Sequence, residues 1–92
     1  MLLLCALAAD ADQDAERARQ LVQHGDILPL EQILARVRQA RDGTLIELGL
    51  RQEGDHGTYV YEVKLLDAQG RLWEMELDAA TGEVIEQEPD DD

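Results

Sequence analysis

The sequence predicts an α+β domain: an antiparallel β-meander of three to four strands, one face covered by an α-helix, with a further helix in front. Three observations carry this. Leu30, Ile33, Leu34 and Val37 fall at the spacing of one helical face. From Tyr59 to Glu86, apolar and polar residues alternate in runs broken by D-A-Q-G and D-A-A-T-G. The connections between those runs are too short for crossovers, so consecutive strands must pair antiparallel. The apolar side of such a sheet has to be covered, and the Leu30–Val37 stripe is the largest apolar surface on offer.

In chain order, residues 1–9 read M-L-L-L-C-A-L-A-A and then turn abruptly acidic at Asp10-Ala11-Asp12. Ala6-Leu7-Ala8 has the small-x-small pattern preferred by signal peptidase, with Ala9 another possible end point. The run is too short to span a bilayer and lacks a basic leading region. It is read as the back half of a secretory signal. Cys5 is the single cysteine, so no intrachain disulfide or Cys zinc cluster is available.

Residues 10–25 form the N-terminal helical unit, with the helix expected over Asp12–His24. Acids crowd its first turns, where the helix dipole favours them. Ala15, Ala18, Leu21 and Val22 make a thin apolar stripe, and Gly25 stands where a C-cap glycine stands. His24 suits the last turn, and nothing of ligand type is spaced to join it. Pro29 is placed to be the first residue of the second helix, which Asp42-Gly43 ends.

The main domain is expected over residues 26–87. Its first strand, Thr44–Glu53, turns Ile46, Leu48 and Leu50 inward and Glu47, Gly49 and Arg51 outward, with Gly49 marking a bulge or a close backbone approach. His56 is expected at the tip of the next turn. In the strand Thr58–Leu66, Tyr59, Tyr61, Val63 and Leu65 face inward, opposite Glu62 and Lys64. In Arg71–Leu77, Trp73, Met75 and Leu77 face inward, opposite Glu74 and Glu76. A short fourth strand is expected over Glu83–Gln87. Residues 88–92 read as an acidic, disordered tail.

Composition narrows the function classes. The chain has 92 residues, about the size of one small domain, and a formal net charge of −13. Such a chain is repelled by nucleic-acid phosphate and by anionic headgroups, so neither nucleic acid nor stable membrane insertion after processing is expected. Serine, asparagine and phenylalanine are absent, which rules out a serine triad and an N-glycosylation acceptor. Asp67 with Gly70, and Asp78 with Thr81 and Gly82, lack the alternating oxygen ligands and terminal glutamate of an EF-hand, and turn chemistry accounts for them. The outward acids Glu47, Glu62, Glu74 and Glu76 follow from alternation on a half-solvated sheet and do not require catalytic pairing. No cofactor or metal is expected.

The stretch Y-E-V-K-L-L-D-A-Q-G-R-L-W-E-M-E-L-D-A-A-T-G-E-V-I-E resembles the PepSY domain, whose paired strands end in D-x-x-G and D-A-x-T-G-x-V. Tyr61, Val63, Asp67, Gly70, Trp73, Met75, Asp78, Ala79, Thr81, Gly82 and Val84 sit on those positions. The upstream I-L-P-L-E-Q-I-L-A-R-V is similar to the start of the family's helix, and the likeness spans Asp26 to Glu86. It implies a non-catalytic, extracytoplasmic bacterial module, periplasmic or secreted, acting through a protein partner such as an exported peptidase or an envelope protein. Inhibition or regulation of a peptidase is the leading expectation. An accessory sensor of an envelope signalling system is the alternative, and an enzyme is the least favoured. The resemblance brings no catalytic residues. The candidate partner-binding face is the outward side carrying Glu62, Lys64, Glu74 and Glu76, together with the sheet edges.

Overall fold

The computed structural model describes residues 15–53 and 58–90. The expectations for residues 1–14, including the signal segment and Cys5, lie outside the described residues, as do those for His56 and for Asp91 and Asp92. Helix α1 covers described residues 15–23. Then come α2 (Leu30–Ala40), β1 (Thr44–Glu53), β2 (Thr58–Leu66), β3 (Leu72–Asp78) and β4 (Val84–Pro89). The strands form one sheet in the order β1-β2-β3-β4, each antiparallel to the next.

Helix α1 ends as its sequence requires. Gly25 has φ +79°, a conformation that costs glycine little. Its N–H reaches the Val22 carbonyl at 3.0 Å, and the Asp26 N–H reaches Leu21 at 2.9 Å. These two bonds make the helix-ending pattern that satisfies the last carbonyls. The connector is then pinned to the sheet. Ile27 is buried, and the Leu28 N–H donates to the Ala79 carbonyl at 2.8 Å while the Ala79 N–H donates to Tyr59 at 3.0 Å. Pro29 stands one residue before α2 rather than inside it, and its carbonyl accepts from Gln32 and Ile33.

The core lies between α2, the connector and the inner face of the sheet. Ile33, Val37, Val63, Met75, Leu77 and Ala79 are almost wholly buried. Of the four-residue helical stripe, Ile33 and Val37 alone are fully buried. Leu30 is 42% exposed, which corrects its expected place in the core. The helix comes nearest the sheet at β4, and Leu30 in its first turn borders a groove beside Leu48 and Leu50 of β1.

The β2–β3 and β3–β4 turns are each organised by an aspartate. The Asp67 carboxylate accepts from the backbone N–H groups of Gln69 (3.0 Å) and Arg71 (2.8 Å), and from the Trp73 indole Nε1 at 2.9 Å. Asp78 accepts from Ala80 and Thr81. Gly82, at φ +79°, closes the second turn, and a Cβ there would lie 3.1 Å from the Arg36 Cγ and 3.2 Å from the Leu28 Cδ1.

Several strand expectations need correction. The bulge in β1 lies between Leu45 and Glu47, not at Gly49. Ile46 occupies it and is 55% exposed, because the extra residue carries its side chain out of the alternation. Val60 shares a parity with Glu62 and Lys64 yet is buried, lying between Arg51 and Asp78 in the strand register. Trp73 is half-buried rather than core: its indole bonds to Asp67, and the Arg41 guanidinium stacks 3.4 Å from its ring centre. Strand β4 continues through Glu88 and Pro89, which pair with Glu74 and Trp73, and the Asp90 N–H donates to Leu72 at 2.9 Å. Glu88 and Pro89 are therefore part of the sheet and Asp90 is bonded to it, in place of the expected free tail.

Ile33→Ala is expected to cost about 2–5 kcal/mol of unfolding free energy, because it empties a fully enclosed site. Leu30→Ala should cost less than about 1.5 kcal/mol, since much of that side chain already meets water. Urea unfolding midpoints of the two variants check this, and equal losses would contradict the burial described here.

Candidate functional site

The outer face of the sheet brings together all four residues expected there. Antiparallel register sets Glu62 opposite Glu76 and Lys64 opposite Glu74. Strand β4 extends both rows, with Glu86 opposite Glu76 and Glu88 opposite Glu74. On the other side, Gly49 pairs with Glu62 and Glu47 with Lys64. Like charges directly opposite one another on a sheet are destabilising, so this face needs cations.

Arg51 and Lys64 supply them. The Arg51 Nη1 lies 2.7 Å from a Glu62 oxygen, and its Nη2 lies 3.1 Å from both Glu53 and Glu76. One guanidinium thus bridges three carboxylates on β1, β2 and β3. The hydrogen bond to Glu62 is the main influence raising the Arg51 pKa. The Lys64 ammonium lies 3.8 Å from Glu47 and 3.6 Å from Asp90, and these neighbours, Glu47 first, raise its pKa. The β4 acids are less well compensated. Repulsion from Glu88, and then from Glu76, pushes the Glu86 carboxyl above its ordinary range.

Among the described residues the sheet has two edge strands, β1 and β4, and they differ. Strand β4 has six residues, carries Glu86 and Glu88, and ends in Pro89, which lacks an N–H to offer a partner. Strand β1 has ten residues and is bordered on its inner side by a groove of about 530 Å³. The groove floor includes Leu48, Leu50 and Tyr61, and its walls come from Ala18 and Val22 of α1 and Leu30 of α2. A smaller cleft of about 210 Å³ lies on the outer side, lined by Glu47, Glu62, Lys64 and Glu74. Leu48 and Gly49 border both.

Sequence alternation located the four outer residues. It missed Arg51 as the bridging cation, because reach across strands is not a property of spacing. It also missed Glu86 and Glu88 as members of the face, since their side depends on a register shift between Glu76 and Leu77. The groove was signalled faintly by the small residues Ala15 and Ala18 in the stripe of α1.

Among the described residues, no group of three or more histidine, cysteine or acidic side chains is arranged to hold a metal ion, and no helix is long and apolar enough to cross a membrane. Residues 27–88 of the 92-residue chain match the family model described as "Peptidase propeptide and YPEB domain". The chain belongs to the PepSY family. The PepSY match begins at the buried Ile27 of the connector and ends within β4, so it takes in α2, β1 to β3 and all of β4 but Pro89. No curated protein and no solved structure matches the chain.

The pH dependence of stability should show two limbs. Backbone donation from Arg71, and then the Trp73 indole, lowers the Asp67 pKa from its ordinary 3.8. A depressed acid contributes stability that is present above its unfolded pKa and is lost as pH falls through its folded pKa. Glu86 has the opposite sign: its pKa is raised from 4.5, so the native state gains a proton first and stability rises as pH falls toward that range. Stability measured by urea unfolding should therefore increase on mild acidification and then decline as pH falls from the ordinary aspartate range through the lowered Asp67 titration. Glu86→Gln should flatten the first limb and Asp67→Asn the second, and unchanged profiles in both variants would contradict the assignments.

Proposed function

We propose that this PepSY domain is a non-catalytic, exported binding module of the bacterial cell envelope that regulates a peptidase by protein–protein contact. The match of residues 27–88 to a family described through peptidase propeptides carries the reading. The face holding Glu62, Lys64, Glu74 and Glu76 supports it, because a strongly acidic and partly uncompensated surface favours a basic partner surface and speeds encounter with it. The contacting groups are backbone at a sheet edge and carboxylates on the outer face, and both recognise without bond-making chemistry.

The test is inhibition of an exported thermolysin-like metallopeptidase from the same organism, combined with capture of partners from its periplasm. Saturable inhibition is expected, weakening as salt screens the acidic face. The double variant Glu74→Lys with Glu88→Lys should reduce affinity by about tenfold. Absence of inhibition, with capture returning a sensor kinase in place of a peptidase, would replace this reading with that of an accessory sensor.

A further inference from the structure

The geometry points to β1 as the docking edge, and to an extended segment of alternating apolar and basic residues as its occupant. The inference rests on the binding-module reading and goes further by choosing the edge and the partner's sequence pattern. Among the described residues, strand β1 is unpaired on one side, because the sheet order begins with it. A strand added there would send successive side chains to opposite faces of the sheet. The two faces beside β1 differ sharply in chemistry. On the inner face lies the groove floored by Leu48, Leu50 and Tyr61 and walled by Val22 and Leu30. On the outer face lies the cleft of Glu47, Glu62 and Glu74, with Lys64 already held by Glu47 and Asp90.

Gly49 joins the two sides. A Cβ built on it meets nothing within 4 Å, so glycine is not required there by crowding. Its register partner is Glu62. The missing side chain leaves a passage from the edge of β1 to the carboxylates of β2. A lysine or arginine of the added strand would lie over Gly49 and share Glu62 with Arg51 and Glu47 with Lys64, while the residues on either side of it would enter the apolar groove. A second copy of this chain fits poorly, since its net charge of −13 opposes self-association at an acidic cleft. Strand β4 fits poorly too, because Pro89 and the adjacent glutamates blunt that edge.

The test uses the full chain and a labelled Lys-Val-Lys-Val-Lys-Val-Lys peptide, with an isomer of the same composition in which the lysines and valines are blocked together. The alternating peptide is expected to bind, to shift the backbone amide resonances of β1 and those of Leu30 and Tyr61, and to leave β4 unmoved. Gly49→Val fills the passage with a residue that suits a strand. Leu30→Glu places a charge on an exposed groove wall. Each should weaken binding by about tenfold, with thermal midpoints showing that both variants remain folded. Equal binding of the two peptides, shifts confined to β4, or parental affinity in both variants would overturn the inference. So would self-association through β1 without any response to peptide. A chain that inhibits its peptidase but ignores the alternating peptide overturns this edge and leaves the binding-module reading intact. A chain that takes the peptide at β1 but inhibits no peptidase supports the edge and counts against peptidase regulation.

Discussion

The structure depends on how little helix is available to cover the inner face of its sheet. Four strands span about 14 Å from first to last at the usual spacing, and a helix with its side chains is about 10 Å wide. Helix α2 therefore covers part of the sheet, and it lies toward β4. Its placement is reinforced at its end, where Arg41 stacks on Trp73 and donates from Nε to the Gln87 side chain at 2.6 Å. The half of the sheet near β1 is left to α1, which brings Ala15 and Ala18 to the groove and packs only Leu21 and Val22 against the core. Arg17 of α1 reaches across to Gln52 at 3.0 Å and Tyr59 at 3.3 Å, and the groove remains between the two helices. The apolar surface beside β1 is thus a consequence of chain economy on the covered side.

The uncovered side obeys a different constraint. Alternation puts Glu62 of β2, Glu74 and Glu76 of β3, and Glu86 and Glu88 of β4 on the outward side, and register then places Glu62, Glu76 and Glu86 side by side. Arg51 offsets part of this repulsion by holding Glu62 and Glu76 from a neighbouring strand. Ion pairs this exposed contribute little to stability, so the face is tolerated because the buried inner face and the strand pairing supply the stability. A surface kept acidic at some cost to folding is consistent with a role in contact with a basic partner.

Much of this was legible in the sequence, for definable reasons. The period-2 runs gave the strands, and the short turn motifs forced the antiparallel order. Asp67, Asp78 and Gly82 read correctly as turn residues, because their hydrogen bonds are to backbone a few positions away. What stayed hidden depends on three-dimensional offset. Ile46 has the pattern of an inward residue, and the bulge next to it turns it outward. Leu30 has the spacing of a core residue, and the lateral position of α2 exposes it. Trp73 has core parity, but its place near the sheet end leaves it packed against the margin of the core, with Asp67 and Arg41 covering the rest of its indole. Of the candidate site, Glu62, Lys64, Glu74 and Glu76 were readable from alternation, whereas Arg51, Glu86 and the groove at β1 were not.

The central claim is that partners meet this domain at β1, where an apolar groove and an acidic cleft share one edge. Hydrogen–deuterium exchange of the full chain, alone and in complex with its captured partner, tests it most directly. Slowed exchange in β1 (Thr44–Glu53), with β4 (Val84–Pro89) exchanging as in the free chain, is the predicted result. Protection confined to β4, or absent from both edges while the complex holds, would contradict it.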